Sequence, residues 1–302
     1  HIAAYLTHLE AKGATSTHRE NAGRYLRNMA EECGFDTLGK VDRVAFERGL
    51  VRAKSIGISA LAKKRKQGIS ARTHNAIRAA WSAFLNWCVD NRRLVSNPLA
   101  GVGKANEKAD PRRQRRSLTE DEMRKLLDAA RARPLQGALK NNGGDADLKP
   151  ETRQRLEVLG RERALIYKTL LLTGLRRGEL ASLMVGALVL DGRNAYAILD
   201  AADEKNRKGS HIPLRADLAA DLAQWLSGKL NALRADCARR GAPIPARLEA
   251  NAPVFDVPDK LVKIFDRDLK AAGIAKRDER GRTVDVHAPR HSFGTHVSKG
   301  GV

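Results

Sequence analysis

Three short segments of this sequence carry side chains suited to chemistry at phosphorus: TGLRRGEL at 173–180, the polar stretch EKNRKG at 204–209, and HAPRHSFGTH at 287–296. Displacement at a phosphodiester puts extra negative charge on the non-bridging oxygens. Two guanidinium forks bind such oxygens bidentately, which a lysine point charge cannot imitate. A lysine held beside phosphate and arginine can protonate the leaving 5′ oxygen, and an imidazole can assist proton transfer near neutral pH. Two arginines, one lysine and one histidine form such a set, and it requires no metal or other cofactor. Each piece alone is weak, since an HxxR match is unsurprising in an arginine-rich chain with eight histidines. Their order along the chain carries the information.

That order, TGLRxxEL, then a turn lysine, then HxxRHSFxTH, resembles the tyrosine recombinase (phage integrase) family. The stretch GISARTHNAIRAAWSAFLNWCVDNRRLVSNPL at 68–99 is similar to the helical core-binding domain of that family, so the resemblance covers most of the chain, from the basic run before Gly68 to Val302. Position by position it implies that Arg176 and Arg290 are the two catalytic arginines and His287 the histidine of HxxR. Lys205 best matches the lysine between the second and third strands, counting back from IPL at 212–214, with Lys208 as the alternative. Glu179 matches the acidic position that supports the site, and a role in holding the arginine is the expectation for it. His291 and His296 follow the family pattern and are expected to pack or cap.

The resemblance further implies strand cleavage and rejoining of DNA through a 3′-phosphotyrosyl intermediate, without ATP, by a homotetramer on paired duplex sites. Family members reach a second His or Trp and then the nucleophilic tyrosine a few dozen residues past the equivalent of Gly301-Val302. Here Tyr5, Tyr25, Tyr167 and Tyr196 all precede His287. The expectation is therefore a chain that binds DNA and holds the scissile phosphate, contains no nucleophile, is inactive for cleavage as it stands, and is a monomer in solution. The alternative is a non-catalytic DNA-binding module that regulates recombination.

Positioning such a site requires a mainly α fold with a small β-hairpin or sheet: a helical core-binding domain over 1–98, a basic linker over 99–117 and a mixed, mostly α catalytic domain over 118–302. In the first domain Ile77, Trp81, Phe84, Leu85, Cys88 and Val89 share a helical face, and Asn97-Pro98 stops the pattern. From Arg52 to Arg72 the chain has seven basic residues and no acid. Lys54, Lys63, Lys64, Arg65, Lys66 and Arg72 are read from this run as phosphate contacts. The segment GVGKANEKADPRRQRRS lacks any apolar period and is read as exposed, with Arg112, Arg113, Arg115 and Arg116 adding to the DNA surface.

In the catalytic part Thr119 and Glu122 form a capping box, with Leu118 and Met123 as its staple. Residues 135–160 read first as loop, insertion-like and at the surface. Ala164–Leu172 is an apolar helix ending at Thr173-Gly174. Strands at 194–199 and 210–214 flank a polar turn, and two amphipathic helices follow, one with Leu218, Leu222, Trp225 and Leu226, the other with Leu261, Ile264, Phe265 and Leu269.

Composition limits the partners. The 302 residues include 56 Lys and Arg against 35 Asp and Glu, a formal charge of +21, while 42% are hydrophobic, enough for a real core. This balance points to double-stranded DNA. Aromatic residues are only 4%, too few for a binder of single strands built on stacking. Cys33, Cys88 and Cys237 lie far apart without metal spacing, as packed thiols of a reducing compartment. No signal-peptide layout or membrane span is present in the sequence, so an intracellular protein is expected. The resemblance implies a cytoplasmic, nucleoid-associated protein of prokaryotic, phage or mobile-element origin. The sequence has no GxxxxGK[ST] loop, in keeping with a reaction without ATP. A metal-dependent nuclease would have to use Asp145, Asp147, Asp266 and Asp268, which read as solvated acids. If several phosphates are neutralised, duplex affinity should fall steeply between about 50 and 200 mM salt; a nearly flat response in a binding titration would count against a duplex partner.

Overall fold

A computed structural model describes residues 1–57, 68–141, 148–191, 194–201 and 208–299. The chain divides into two compact units, His1–Arg112 and Arg113–Val302. Among the described residues no helix is long and apolar enough to cross a membrane.

The first unit is all helical: α1 Ile2–Ala11, α2 Ser16–Cys33, α3 Arg43–Ile56 and α4 Ala71–Asp90. Side-chain oxygens start three of them, with Thr15, Asp42 and Ser70 accepting from the backbone N–H three residues on. The apolar face expected on α4 is the centre of the unit. Ile77, Trp81, Phe84, Leu85 and Cys88 are buried, and Val89 is half-buried at the margin. The Trp81 ring meets Phe35, Phe46 and Phe84 edge-on at 5.6–5.9 Å between centroids, the arrangement in which the positive edge of one ring meets the negative face of another. The helix ends at Asp90, seven residues before Asn97-Pro98, where Arg92 takes a positive φ of 54°.

The basic stretch 99–117 is not a free linker. Leu99 and Val102 are buried in the first unit. Asn75 on α4 exchanges two hydrogen bonds with the backbone of Ala105, and Arg78 donates to the Val102 carbonyl. Asp110 accepts the Ala71 N–H at 2.8 Å, satisfying an open donor in the first turn of α4. Arg112 binds Asp110 and the carbonyls of Gly68 and Ile69. The segment is therefore held by polar contacts with α4, and a composition rich in Gly and charge gives no sign of them. Residues from Arg113 onward belong to the second unit.

The second unit holds α5 Glu120–Asn141, α6 Pro150–Thr173, α7 Arg177–Ala181, α8 Ala216–Arg240, α9 Leu261–Ala271 and α10 Ala288–Lys299. Its three-stranded antiparallel sheet is β1 Leu188–Val189, β2 Tyr196–Leu199 and β3 Ser210–Pro213. Register pairs Tyr196 with Pro213 and Leu199 with Ser210. The Thr119–Glu122 capping box is formed in both directions, at 3.0 and 3.2 Å.

Residues 135–160 depart from the surface-loop reading. Helix α5 continues through Pro134 to Asn141, and α6 begins at Pro150. The two helices approach closely at Gly160, where a Cβ would lie 2.0 Å from the Arg131 carbonyl oxygen. Pro134 stands within α5, where a proline removes one helix hydrogen bond. Asp145 and Asp147 lie outside the described residues. Asp268 is not solvated. It is fully buried, accepts the Tyr167 hydroxyl at 2.7 Å and an Arg133 N–H, and has Arg163 at 3.7 Å.

Replacing Trp81 by Ala removes the hub of the first core, and large-to-small changes at such sites cost about 3–5 kcal/mol. Urea unfolding of Trp81→Ala should show a loss of that size, against a negligible loss for the exposed Val95→Ala.

Candidate phosphodiester site

The centre of the site is a carboxylate. Glu179, in the single turn of α7, is 4% exposed. Its two oxygens accept the backbone N–H of Arg176 at 2.8 Å and the Arg176 guanidinium at 2.5 Å, and Arg290 Nη1 lies 3.9 Å away. Burial alone pushes the Glu179 carboxyl up. The Arg176 N–H, the Arg176 guanidinium and the Arg290 charge outweigh burial and hold it below the ordinary range.

Two further features bring the arginines together. Helix α6 ends at Gly174 in the left-handed conformation, φ 66°, and the chain turns there into Leu175-Arg176. The Gly174 carbonyl accepts Arg290 Nη1 at 2.6 Å, and a Cβ at Gly174 would lie 2.6 Å from the Phe293 ring. Glycine is thus required twice, for its backbone angle and for the close approach of α10. A pocket of about 170 Å³ opens here, walled by Gly174, Arg176, Glu179, Arg290 and the facing strand ends Leu199 and Ser210. One carboxylate faces two guanidiniums, so the cluster keeps a net charge of +1. Among the described residues the remaining N–H groups of Arg176 and Arg290 have no protein partner.

His287 is exposed at the start of α10, three residues before Arg290, and does not wall the pocket. Its backbone N–H donates to Asp285 at 2.9 Å, and Arg115 Nε lies 3.0 and 2.9 Å from the two Asp285 oxygens. The whole segment 114–118 runs beside the His287–Arg290 element. Thr283 N–H donates to the Gln114 carbonyl at 2.7 Å, Ser117 Oγ meets Thr295 Oγ1 at 2.7 Å, and Leu118 N–H donates to Ser292 Oγ at 2.8 Å. Arg116 binds Glu122 bidentately at 2.7 Å. Arg115 and Arg116, read from sequence as DNA contacts, have acidic partners inside the protein, as does Arg112. In each of the three a carboxylate engages part of the guanidinium, as Glu179 does for Arg176. Sequence reasoning missed Asp285, and with it the part Arg115 plays in this element. The signal was an aspartate two residues before the histidine, where its carboxylate can accept the backbone N–H two residues on.

Arg113, Lys54 and Arg72 are exposed. Lys63, Lys64, Arg65 and Lys66 lie outside the described residues, as does Lys205. Lys208 is exposed, two residues before the pocket residue Ser210. His291 is exposed along an open trough with Arg290, rather than packed. Nothing is described of the His296 side chain. Among the described residues no three His, Cys, Asp or Glu side chains gather as metal ligands.

Neither family models nor curated protein sequences match the chain. Solved structures do. A lambda integrase dimer bound to a COC′ core site superposes with a TM-score of 0.61 at 17% identity, over 99% of this chain and 69% of that one. The chain has the tyrosine-recombinase fold. The lambda integrase fragment 75–356 bound to the same core site gives 0.59 at 17% identity, covering 99% of this chain and 89% of that one. XerH site-specific recombinase in a post-cleavage complex with its palindromic difH substrate gives 0.59 at 16% identity, covering 96% and 71%. Within this recombinase fold, the helical first unit and the small sheet of the second are the two parts that the family resemblance implied.

Because the Glu179 carboxyl is depressed in the folded protein, its contribution to stability is complete above about pH 4.3, the ordinary glutamate value. That contribution is lost as the pH falls through the lower folded-state value. The Tm difference between the unchanged protein and Glu179→Gln should therefore be largest near about pH 6 and shrink as the pH falls below about 4.3. Thermal unfolding across this range checks it; a constant difference would mean that the carboxylate charge does not hold the arginines.

Proposed function

We propose that the protein is a tyrosine recombinase that cleaves one strand of duplex DNA and rejoins it through a 3′-phosphotyrosyl intermediate. The observation that carries this reading is the pair of guanidiniums, Arg176 and Arg290, gathered on one buried carboxylate beside a phosphate-sized pocket with net positive charge. A carboxylate that holds two arginines from below fixes their orientation before substrate arrives. Their remaining N–H groups then meet the extra negative charge that develops on the non-bridging oxygens without further reorganisation.

In this mechanism a phenolic oxygen attacks phosphorus as the bond from phosphorus to the 5′ oxygen breaks. The phenol proton passes toward His287, and the leaving 5′ oxygen takes its proton from Lys205 or Lys208, carried by the connection between strands that end at the pocket. The free 5′ hydroxyl of a partner strand then reverses the sequence. One phosphodiester replaces another of similar energy, so no nucleotide or metal enters.

The four tyrosines in these residues are poor nucleophiles. Tyr5 and Tyr25 belong to the first unit. Tyr167 is fully buried, and burial, aided by Asp268, pushes its ionisation far above the ordinary range. Tyr196 stacks on His211 at 5.2 Å and sits on the face of β2 opposite Leu199, away from the pocket. None of these four is proposed as the attacking tyrosine, and the working assembly is a tetramer on paired duplex sites.

The 302-residue chain should bind duplex DNA yet leave no covalent adduct on a denaturing gel, whereas a form carrying the tyrosine should leave one. In that form Arg176→Lys or Arg290→Lys should cut adduct formation by about 10²–10³ with duplex affinity nearly unchanged. Full adduct yield from either variant would remove that arginine from the chemistry. No adduct from the unchanged tyrosine-carrying form, with duplex binding intact, would favour a DNA-binding module without catalysis.

A further inference from the structure

Arg115 and Arg116 share their guanidiniums with carboxylates of the protein, whereas α9 of the same unit presents a row of cations without such partners among the described residues. Lys260, at its N-terminus, and Lys263, Arg267 and Lys270 along it are all exposed. At 100° and 1.5 Å per residue these four side chains fall within about 80° of arc over about 15 Å of helix. The row lies opposite the buried face of Leu261, Phe265, Asp268 and Leu269. Among the described residues none of the four has an acidic partner. The two acids of the helix are engaged elsewhere, Asp268 in the buried cluster with Tyr167 and Asp266 with Lys276. Asp259, also exposed, stands at the head of the row.

The row is continuous with the pocket. Arg177, the residue after Arg176, donates from Nη1 to the Asp259 carbonyl at 3.0 Å, fixing the N-terminus of α9 beside the turn that carries the first arginine. Cations spaced about every 5 Å on one ridge, with no competing carboxylates on that ridge beyond its head, complement a phosphate backbone and present no apolar surface for a folded protein partner.

We propose that Lys260, Lys263, Arg267 and Lys270 form a phosphate rail that binds the backbone of duplex DNA leading into the Arg176–Arg290 pocket. The rail rests on the reading of that pocket as a phosphodiester site. It adds no sequence reading, because phosphate contacts position a duplex without distinguishing bases. Its signature is electrostatic: every phosphate left without its cation should lower the slope of log affinity against log salt by about 0.9.

The test uses the 302-residue chain and a mixed-sequence duplex, with anisotropy titrations between about 50 and 200 mM salt. The variant K260Q/K263Q/R267Q/K270Q removes the rail and leaves the buried face of α9 intact. It should lower the slope by about 2–4 and weaken binding more than about tenfold at the middle of this range. The milder K263Q/R267Q should lower the slope by about half as much and serves if the fourfold variant unfolds. A control, K140Q/R155Q/R161Q/R247Q, removes the same charge from exposed positions elsewhere in the second unit and should change the slope by less than a single phosphate does. Equal losses of affinity in control and rail variants would show a response to net charge alone and overturn the rail. An unchanged slope in both rail variants, with the unchanged chain still binding, would overturn the rail while leaving the pocket reading intact. Failure of the unchanged chain to bind duplex would overturn both.

Discussion

The site depends on one carboxylate serving two guanidiniums. Arginines that must meet an anion repel each other when brought together without it, and a site assembled only on substrate arrival would need costly reorganisation. Glu179 solves this from inside the protein. Buried beneath the pocket, it neutralises one of the two charges and orients both side chains, and it leaves the net positive charge that a phosphodiester requires. Two carboxylates would cancel the pocket, and none would scatter it.

Everything around this carboxylate works to bring two arginines from distant segments of the chain onto it. Gly174 ends α6 with a left-handed turn, lets the Phe293 ring approach and offers its carbonyl to Arg290, so one residue links the two motif segments. The opposite side of α10 is tied by Ser117, Leu118 and the Arg115–Asp285 pair, which together set the helix that carries His287 and Arg290. Deeper in the same unit Asp268 joins Tyr167, Arg133 and Arg163, so the helix bearing the basic row is anchored by charge as well as by Phe265.

The sequence was legible where local physics is strong. Period in α4, the capping box at Thr119 and the strands around 196–213 appear in the structure close to where pattern and turn signals put them. It misled where tertiary contacts override local preference. Pro134 lies inside a helix that packs closely on α6 at Gly160, and the polar stretch after Leu99 is fixed because Asn75 and the start of α4 need its hydrogen-bonding groups. The pairing of Arg115 with Asp285 and of Arg116 with Glu122 was not legible in the sequence, because those partners are 170 and 6 residues away.

By itself, the sequence determined the residue types of the candidate site, their order, the strongly positive charge and the helical class of the fold, since these follow from composition and from periods of a few residues. Only the tertiary structure decided which cations are free to act. A guanidinium forked on a carboxylate and one open to solvent are the same letter in a sequence. The difference is a contact that only folding makes: Arg112, Arg115 and Arg116 are paired with carboxylates, while Lys260, Lys263, Arg267 and Lys270 are exposed with no acidic partner among the described residues.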